Sequence, residues 1–188
     1  MAGVQQLIRK FEQGASLNKA ANLKAEYTKL IRPAYVRRYG GGNIPAELFI
    51  DEGDPSFNGA GSPGLVLVSQ GVANYALACI RTFAVAHETG HAVACIEFQR
   101  VGVTPFQPIG ADAKRHEHMA DLIAMRLMKE FLPGIAAEIM GKLGLLSQVL
   151  GPGGFMHPSG QARTELIRKL YFGQPFGQLF AALARRAI

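Results

Sequence analysis

The apolar and polar residues of the chain follow a helical pattern over most of its length. Apolar positions that recur with a period near 3.6 residues mark the buried face of an amphipathic helix. Glycine and proline punctuate the pattern, as at the Gly40-Gly41-Gly42 break and at Pro133. The pattern predicts helices over residues 4–13, 18–38, 72–99, 111–131, 135–150, 159–172 and 176–187.

Two short apolar runs predict β-strands ahead of the central helix. One covers about 47–51, and the other is Leu65–Val68, which glycines bound. Residues 54–64 between them are rich in glycine, proline and serine and are typical of turns. The helices outnumber the strands, and the strands cluster before the helix at 72–99. The sequence therefore predicts an α+β fold that is mostly helical and has a small β-sheet.

Composition and charge narrow the class of protein. The chain has 188 residues, 48% of them apolar and 18% charged, which is typical of one folded domain. The formal net charge of +6 is an ordinary solubility charge, and it also leaves open peripheral contact with an anionic membrane surface. The chain has neither a zinc-finger spacing nor the basic and aromatic pattern of nucleic-acid binding, so we expect no nucleic-acid partner.

The cysteines and the apolar runs indicate the cellular location of the protein. Cys79 and Cys95 both fall in the predicted helix 72–99, where sixteen positions place them about 24 Å apart, beyond the reach of a disulfide. Two buried free thiols fit a reducing compartment. The N-terminus has no signal-peptide core, and no apolar run reaches the roughly 18 residues of a membrane span. We therefore expect a cytoplasmic protein with no membrane span.

The predicted helix 72–99 carries the motif H-E-x-x-H at His87, Glu88 and His91. Histidines at positions i and i+4 share one face of a helix, so both imidazoles can bind one zinc ion. Glu88 is rotated about 100° from His87, which suits a general base beside a zinc-bound water and not a ligand. The apolar flanks bury these polar groups, which is costly unless they pair or bind a metal. The alternative is two ordinary histidines on a partly buried helix.

A catalytic zinc site needs a third protein ligand, and His116, Glu117 and His118 are the candidates in the next helix. Helical register places Glu117 on one face with Asp121 and with small residues that permit close packing. Glu117 is therefore the predicted ligand, and Asp121 the carboxylate that orients a ligating histidine through its other nitrogen. His116 and His118 flank that face and are expected at the rim. The competing interpretation is a solvated cluster of charges.

The remaining histidine, His157, follows the glycine-rich segment 151–154 and precedes Ser159, a natural N-cap for the helix 159–172. All five histidines of the chain fall in these three segments. His157 could stabilise the oxyanion of a reaction, take a fourth position on the metal, or only cap the helix that follows.

These segments together resemble the HtpX and CAAX-prenyl-protease family of gluzincin metallopeptidases over roughly residues 46–171. The family's catalytic helix matches the sequence from His87 to His91, and its E-x-x-A-D element matches Glu117 to Asp121. Its H-P-S segment, with an arginine six positions after the histidine, resembles the sequence from His157 to Arg163. The edge strand of the family, with its Asn-Ala pair, resembles the sequence at Asn58, Gly59 and Ala60.

The resemblance implies one soluble, compact, zincin-like domain over residues 1–188, with an N-terminal helical region at 1–42, a catalytic core at 46–171 and a C-terminal helix at 174–188. It implies a metalloendopeptidase with one Zn²⁺ per chain that cleaves extended or unfolded polypeptides, the substrate adding as a further strand. The implied roles are metal binding for His87, His91 and Glu117, catalysis for Glu88 and His157, support of the metal ligands for Asp121 and Arg163, and substrate binding for Asn58, Gly59 and Ala60.

Two other functions compete with a general peptidase. The ImmA/IrrE type of regulatory peptidase also uses H-E-x-G-H followed by E-x-x-A, and it cleaves a single partner protein. Alternatively, the chain is a latent or regulatory zinc-binding protein whose cleft the C-terminal helix 176–188 plugs. Glu88 argues against a purely structural zinc site, because such a site needs no general base.

Overall fold

The computed structural model describes residues 18–106 and 111–185. Helix α1 covers 18–26, passes through a π-helical turn at Tyr27–Ile31 and continues over Arg32–Tyr39. This confirms the predicted helix 18–38. Gly40 ends it with a φ of 76°, a conformation that only glycine adopts without strain. The predicted helix 4–13 lies outside the described residues.

The sheet has three strands, β1 (Phe49–Asp51), β2 (Gly59–Ser62) and β3 (Leu65–Ser69). Their order is β1-β3-β2, with β1 parallel and β2 antiparallel to β3. The strands predicted at 47–51 and 65–68 are confirmed with small changes of bounds. Strand β2 falls in the stretch whose composition predicted only turns, and it forms the edge of the sheet where the family resemblance implied an edge strand.

The predicted helix 72–99 is in fact two helices, α2 (Gln70–Asn74) and α3 (Ala78–Arg100). The Oγ atom of Ser69 caps α2 by accepting a hydrogen bond from the Val72 amide at 3.2 Å. Tyr75 leaves the helical conformation with a ψ of 138°. The Arg81 guanidinium donates a hydrogen bond to the Tyr75 carbonyl and so stabilises this corner of the backbone. The apolar residues at the corner continue the helical pattern, which explains why the break was not predicted.

The remaining helices are α4 (Ala111–Phe131), α5 (Pro133–Met140), α6 (Leu143–Val149), α7 (Gly160–Tyr171) and α8 (Phe176–Ala184). The predicted helix 135–150 is wrong as one element, because the chain breaks at Gly141 and Lys142 between α5 and α6. Glycine is a poor helix former, which favours a break at this point. The other three predictions are confirmed within a few residues at each end.

Helix α3 lies at the centre of the fold and packs against α4, β2 and β3. The crossing of α3 and α4 is close at Gly90, where a Cβ atom would lie 2.9 Å from the Ala120 carbonyl oxygen. Glycine is therefore needed at this position, and it allows α4 to bring its side chains against those of α3. The architecture is α+β and 65% helical with a small mixed sheet, as predicted.

The C-terminal helix α8 belongs to the core. Phe180 is fully buried and packs edge-to-face on Phe98 of α3, with ring centroids 5.7 Å apart. The Arg115 side chain of α4 donates to the carbonyl of Ala184 at 2.8 Å and so closes the end of α8. Both cysteines lie in α3 and are free, and Cys95 is only partly buried where the sequence predicted full burial. Among the described residues, no helix is long and apolar enough to cross a membrane.

Candidate metal centre

Helix α3 presents the residues of the H-E-x-x-H motif from its middle, where the helix is buried on most sides. The Nε2 atoms of His87 and His91 lie 3.2 Å apart. The Oε1 atom of Glu88 lies 4.0 Å from Nε2 of His87. Each of the three side chains offers a donor atom within 4.8 Å of the others, so the group could hold a metal ion.

Helix α4 brings Glu117 to the same point. Its Oε2 atom lies 3.4 Å from Nε2 of His87, and its Oε1 atom lies 3.3 Å from Nε2 of His91. Asp121, one turn further along α4, lies 2.9 Å from the other nitrogen of His87, Nδ1. The structure thus places Glu117 and Asp121 on the one face that helical register predicted, and it turns both toward α3.

Arg163 of α7 joins the cluster from a third helix. Its Nε and Nη2 atoms donate to the two carboxylate oxygens of Asp121 at 2.8 and 2.7 Å. Its Nη1 atom lies 3.4 Å from Oε2 of Glu117. A bidentate arginine–carboxylate pair is a strong and directional contact, so Arg163 fixes the carboxylate that orients His87. Asp121 is fully buried and Arg163 nearly so, which keeps water from loosening the pair.

The electrostatics of the cluster favour charged carboxylates next to the histidines. Burial alone would raise the pKa of Asp121, but Arg163 and His87 outweigh it and hold that pKa at about 2. Burial acts likewise on Glu117, whose pKa the two histidines nevertheless hold well below its usual range. At His87, burial and Arg163 lower the pKa, yet Asp121 and Glu117 raise it overall to about 10. Asp121 and Glu117 thus favour positive charge at the position of His87.

The pKa of Glu88 is shifted in the opposite direction from those of Asp121 and Glu117. Burial raises the pKa of its carboxyl group above the usual value, although His87 and His91 act in the lowering direction. A carboxylate whose pKa rises toward neutrality becomes a better proton acceptor and a better proton donor at neutral pH. The cluster therefore contains two carboxylates with opposed environments, Glu117 held ionised and Glu88 suited to proton transfer.

His157 lies in the loop between α6 and α7 and reaches the same cluster. Its Nδ1 atom is 3.4 Å from Oε2 of Glu117, and its side chain is 63% exposed. Ser159 caps α7 as predicted, with its Oγ atom accepting from the Ala162 amide at 3.2 Å. The capping thus belongs to Ser159, and His157 is left to face the cleft. Gly153 shapes the loop with a φ of 84°, where a Cβ atom would lie 2.6 Å from the Ser159 nitrogen.

Strand β2 packs closely against the segment of α3 that carries the H-E-x-x-H motif. A Cβ atom at Gly59 would lie 2.7 Å from Oε1 of Glu88, and one at Gly61 would lie 1.9 Å from the Glu88 carbonyl oxygen. Only glycine permits this approach. The close contact explains why a strand without β-branched residues forms here, since its position depends on packing against α3 and not on β-propensity.

The outer edge of β2 offers main-chain groups to the cleft. The Ser69 amide donates to the Asn58 carbonyl at 2.9 Å, so Asn58 and Ser69 form a hydrogen-bonded pair of the antiparallel ladder. Such pairs alternate along the ladder, so the amide and carbonyl groups of Gly59 and Gly61 point away from β3. The Gly59 amide donates to Oδ1 of Asn58 at 2.9 Å, so the groups that face the cleft without this bond are the Gly59 carbonyl and both groups of Gly61. Asn58, Gly59 and Ala60, which the resemblance implied as substrate-binding, all line the cleft.

The cleft has a volume of about 580 Å³ and combines the polar cluster with an apolar wall. Sequence reasoning did not identify this wall, because its residues come from separate elements and resemble ordinary core positions. Its members are Phe57, Val72, Phe83, Leu146, Val149 and Leu150. No described residue of α8 lines the cleft, so the structure does not support a plug formed by that helix.

His116 and His118, the two histidines of α4, are half-buried. The ring of His116 stacks on that of His91, with centroids 6.2 Å apart, and its Nε2 atom is 3.2 Å from the Phe106 carbonyl oxygen. His116 therefore supports the ring of His91, where the sequence predicted a rim residue. The Nδ1 atom of His118 is buried and has no hydrogen-bond partner among the described residues.

Compared with known proteins, the chain matches no family model, no curated protein and no solved structure. The resemblance to the HtpX family therefore depends on the motif residues and on their order along the chain. The geometry of the cluster is the basis for inferring a function.

Proposed function

We propose that the protein is a zinc-dependent metalloendopeptidase in which His87, His91 and Glu117 bind the metal ion. The observation that carries this proposal is the spacing of the three donor groups, 3.2, 3.3 and 3.4 Å between neighbouring atoms. Donors that bind one ion tetrahedrally at about 2.0–2.1 Å are separated from one another by about 3.3–3.4 Å. Two imidazoles and one carboxylate are also the ligand set of a catalytic zinc site.

Glu117 fits the role of third ligand better than Glu88 does. The closest approach of Glu88 to His87 is 4.0 Å, whereas Glu117 reaches both histidines at 3.3–3.4 Å. Glu117 is also held ionised, as a ligand must be, while burial favours a protonatable Glu88. Asp121 and Arg163 complete the site by fixing the orientation and tautomer of His87 through its Nδ1 atom.

The residues of the chain supply binding and proton transfer. When bound, zinc supplies Lewis-acid polarisation of the scissile carbonyl group and acidifies water. Glu88 takes the proton of the attacking water and delivers it to the leaving amine, for which its raised pKa suits it. His157, exposed to the cleft beside Glu117, stabilises the negative charge that develops on the carbonyl oxygen.

The substrate that fits this cleft is an extended polypeptide. Its backbone pairs with the Gly59 carbonyl and the main-chain groups of Gly61, as one more strand next to β2, while the Gly59 amide donates to Oδ1 of Asn58. A peptide in this position runs past Glu88 and the metal ligands, because β2 lies directly on that segment of α3. The apolar wall formed with Phe83 and α6 then receives a large apolar side chain of the substrate. Folded proteins cannot enter in this way, so unfolded or flexible segments are the expected substrates.

The test is cleavage of an unstructured peptide library by the zinc-loaded protein, read by mass spectrometry, with Glu88→Gln as the matched variant. Glutamine keeps the size of the side chain and its place in the cleft but cannot act as a base. We expect Glu88→Gln to lower turnover by roughly 10²–10⁴-fold, the usual contribution of a general base, while zinc content stays unchanged. The products should show large apolar residues next to the cleaved bond.

Three outcomes are informative. Cleavage by the parent and none by Glu88→Gln supports the peptidase. Equal cleavage by both would exclude Glu88 as the base. Absence of cleavage with zinc bound in both proteins would favour a regulatory peptidase that accepts a single partner protein.

A further inference from the structure

A second cluster of charged side chains lies on the far half of α3, outside the cleft. Four arginines line a pocket of about 430 Å³ together with two glutamates and Phe131. We call it the arginine pocket, and its arginines are Arg37 and Arg38 of α1, Arg100 of α3 and Arg126 of α4. It shares no residue with the cleft. We propose that the arginine pocket binds a small molecule through a phosphate group, an inference that does not depend on the proposed peptidase function.

The guanidinium groups of the arginine pocket outnumber its carboxylates. Four positive side chains face two negative ones, Glu97 and Glu130, which leaves a net charge of +2. Oε1 of the buried Glu97 is shared by Arg100 at 2.8 Å and Arg126 at 3.3 Å, so one carboxylate serves two arginines. Within the described part of the chain, Arg37 makes no ion pair. An anion with about two negative charges would balance the pocket.

Aromatic rings hold three of these arginines in place. The guanidinium of Arg37 lies 5.4 Å from the centre of the Phe131 ring, that of Arg100 lies 5.0 Å from Tyr39, and that of Arg126 lies 4.0 Å from Phe176. Stacking on a ring leaves the N–H groups at the edge of the guanidinium free to donate. Side chains held in this way lose little conformational freedom when they bind a ligand.

Tyr39 and Glu97 anchor the floor of the arginine pocket in the fold, while Arg37 and Arg100 are exposed at its surface. The Tyr39 hydroxyl donates to Oε1 of Glu97 at 2.8 Å, and Glu97 is only 3% exposed. Nη2 of Arg100 also donates to the Arg38 carbonyl at 3.3 Å, which joins α3 to α1. Among the described residues, Nε of Arg38 has no hydrogen-bond partner. The donors of the pocket therefore exceed its acceptors.

A phosphate monoester fits these features better than a single carboxylate group does. It carries about 1.5–2 negative charges at neutral pH, against one for a carboxylate, and its three oxygens accept from several guanidinium groups at once. The pocket volume leaves room for a small organic group attached to the phosphate. A nucleic-acid strand would instead need a basic surface that extends beyond one pocket.

The experiment is calorimetric titration of the full-length chain at fixed ionic strength with inorganic phosphate, adenosine monophosphate, and adenosine as the uncharged control. Each titration is carried out on zinc-loaded and on chelator-treated protein, because phosphate also binds zinc. The test variant is Arg37→Gln, which removes a guanidinium that makes no ion pair among the described residues. Arg168→Gln is the matched control, since that arginine pairs with Glu165 on the exposed face of α7.

We expect phosphate and adenosine monophosphate to bind with or without zinc, and adenosine not to bind. Arg37→Gln should weaken binding at least about tenfold, the usual effect of losing a charge-assisted hydrogen bond, and Arg168→Gln should leave it unchanged. Tighter binding of the nucleotide than of phosphate would point to an organic phosphate ester as the ligand. No binding of either ligand, or equal binding by Arg37→Gln and the parent, would overturn the proposal.

Discussion

Helix α3 carries two clusters of charged residues, and they differ in how their charges are balanced. Near its middle, His87 and His91 meet Glu117, and Asp121 and Arg163 close the network behind His87. In its second half, Glu97 is outnumbered by the four arginines that surround it. The first cluster converges on one point with the spacing of metal ligands. The second surrounds an open volume of about 430 Å³ with unbalanced positive charge.

The difference shows how each cluster can be used. Donor atoms 3.2–3.4 Å apart leave room for an ion but for no organic ligand between them. Guanidinium groups held on aromatic rings around a pocket leave room for a larger anion. We therefore expect chemical work on a substrate at the first cluster and recognition of a soluble anion at the second. Three substitutions test this division of roles between the two clusters.

Among substitutions at positions other than Glu88, the largest effect is expected for His157→Ala, which tests the catalytic side of the comparison. We expect turnover to fall by roughly 10²–10³-fold, the usual result of losing an oxyanion donor, while zinc content stays near one per chain. The measurement is steady-state cleavage of a library-selected peptide together with metal analysis of the same samples. Equal loss of zinc and turnover would show that His157 is a metal ligand.

A smaller effect is expected for Asp121→Asn. The amide cannot carry the negative charge that holds the Nδ1 proton of His87, so zinc affinity should fall by about 10–100-fold. Competition with a chromogenic zinc chelator measures the affinity. Glu165→Gln is the control, because that carboxylate pairs with Arg168 and is half-exposed. An affinity that stays at the parent value would remove Asp121 from the metal centre.

The smallest effect is expected for Glu97→Gln, on the arginine pocket. A neutral amide leaves Arg100 and Arg126 without a counter-charge, so we expect a loss of about 1–2 kcal/mol in the free energy of unfolding, with the partial exposure of both arginines limiting it. The net charge of the pocket rises from +2 to +3, so phosphate should bind more tightly. Urea unfolding and calorimetric titration check the two effects. Weaker phosphate binding would mean that Glu97 positions the arginines more than it competes with the ligand.

The two clusters also differ in how far the sequence reveals them. The H-E-x-x-H spacing and the register of Glu117 with Asp121 pointed to the first cluster, and the resemblance to the HtpX family added Arg163, six positions after His157. Regular helices preserve such spacings, so the motif translates directly into geometry. The arginine pocket has no such signal, since its residues come from three helices with no common spacing, and only the tertiary packing brings them together.

The secondary-structure elements differ in the same way: some are determined by the local sequence and others by tertiary contacts. Helices with clear punctuation, such as the one that ends at Gly40, were predicted to within a few residues. The corner at 75–77 was missed because the Arg81 guanidinium stabilises it from the following helix. Strand β2 was predicted as a turn from its composition, because its glycines serve the contact with α3 and not the pairing with β3. At the corner a side-chain contact from six residues further along overrides the local pattern, and at β2 a contact distant in sequence does so.

The most direct test of the metal centre is native mass spectrometry of the metal-stripped chain titrated with zinc, for the parent, Glu88→Gln and Glu117→Ala. The parent and Glu88→Gln should each take up one zinc ion per chain at equimolar metal, and Glu117→Ala should take up little. Zinc lost from Glu88→Gln but kept by Glu117→Ala would make Glu88 the ligand and leave the proposed mechanism without a base. A parent chain that takes up no zinc would contradict the metal centre itself.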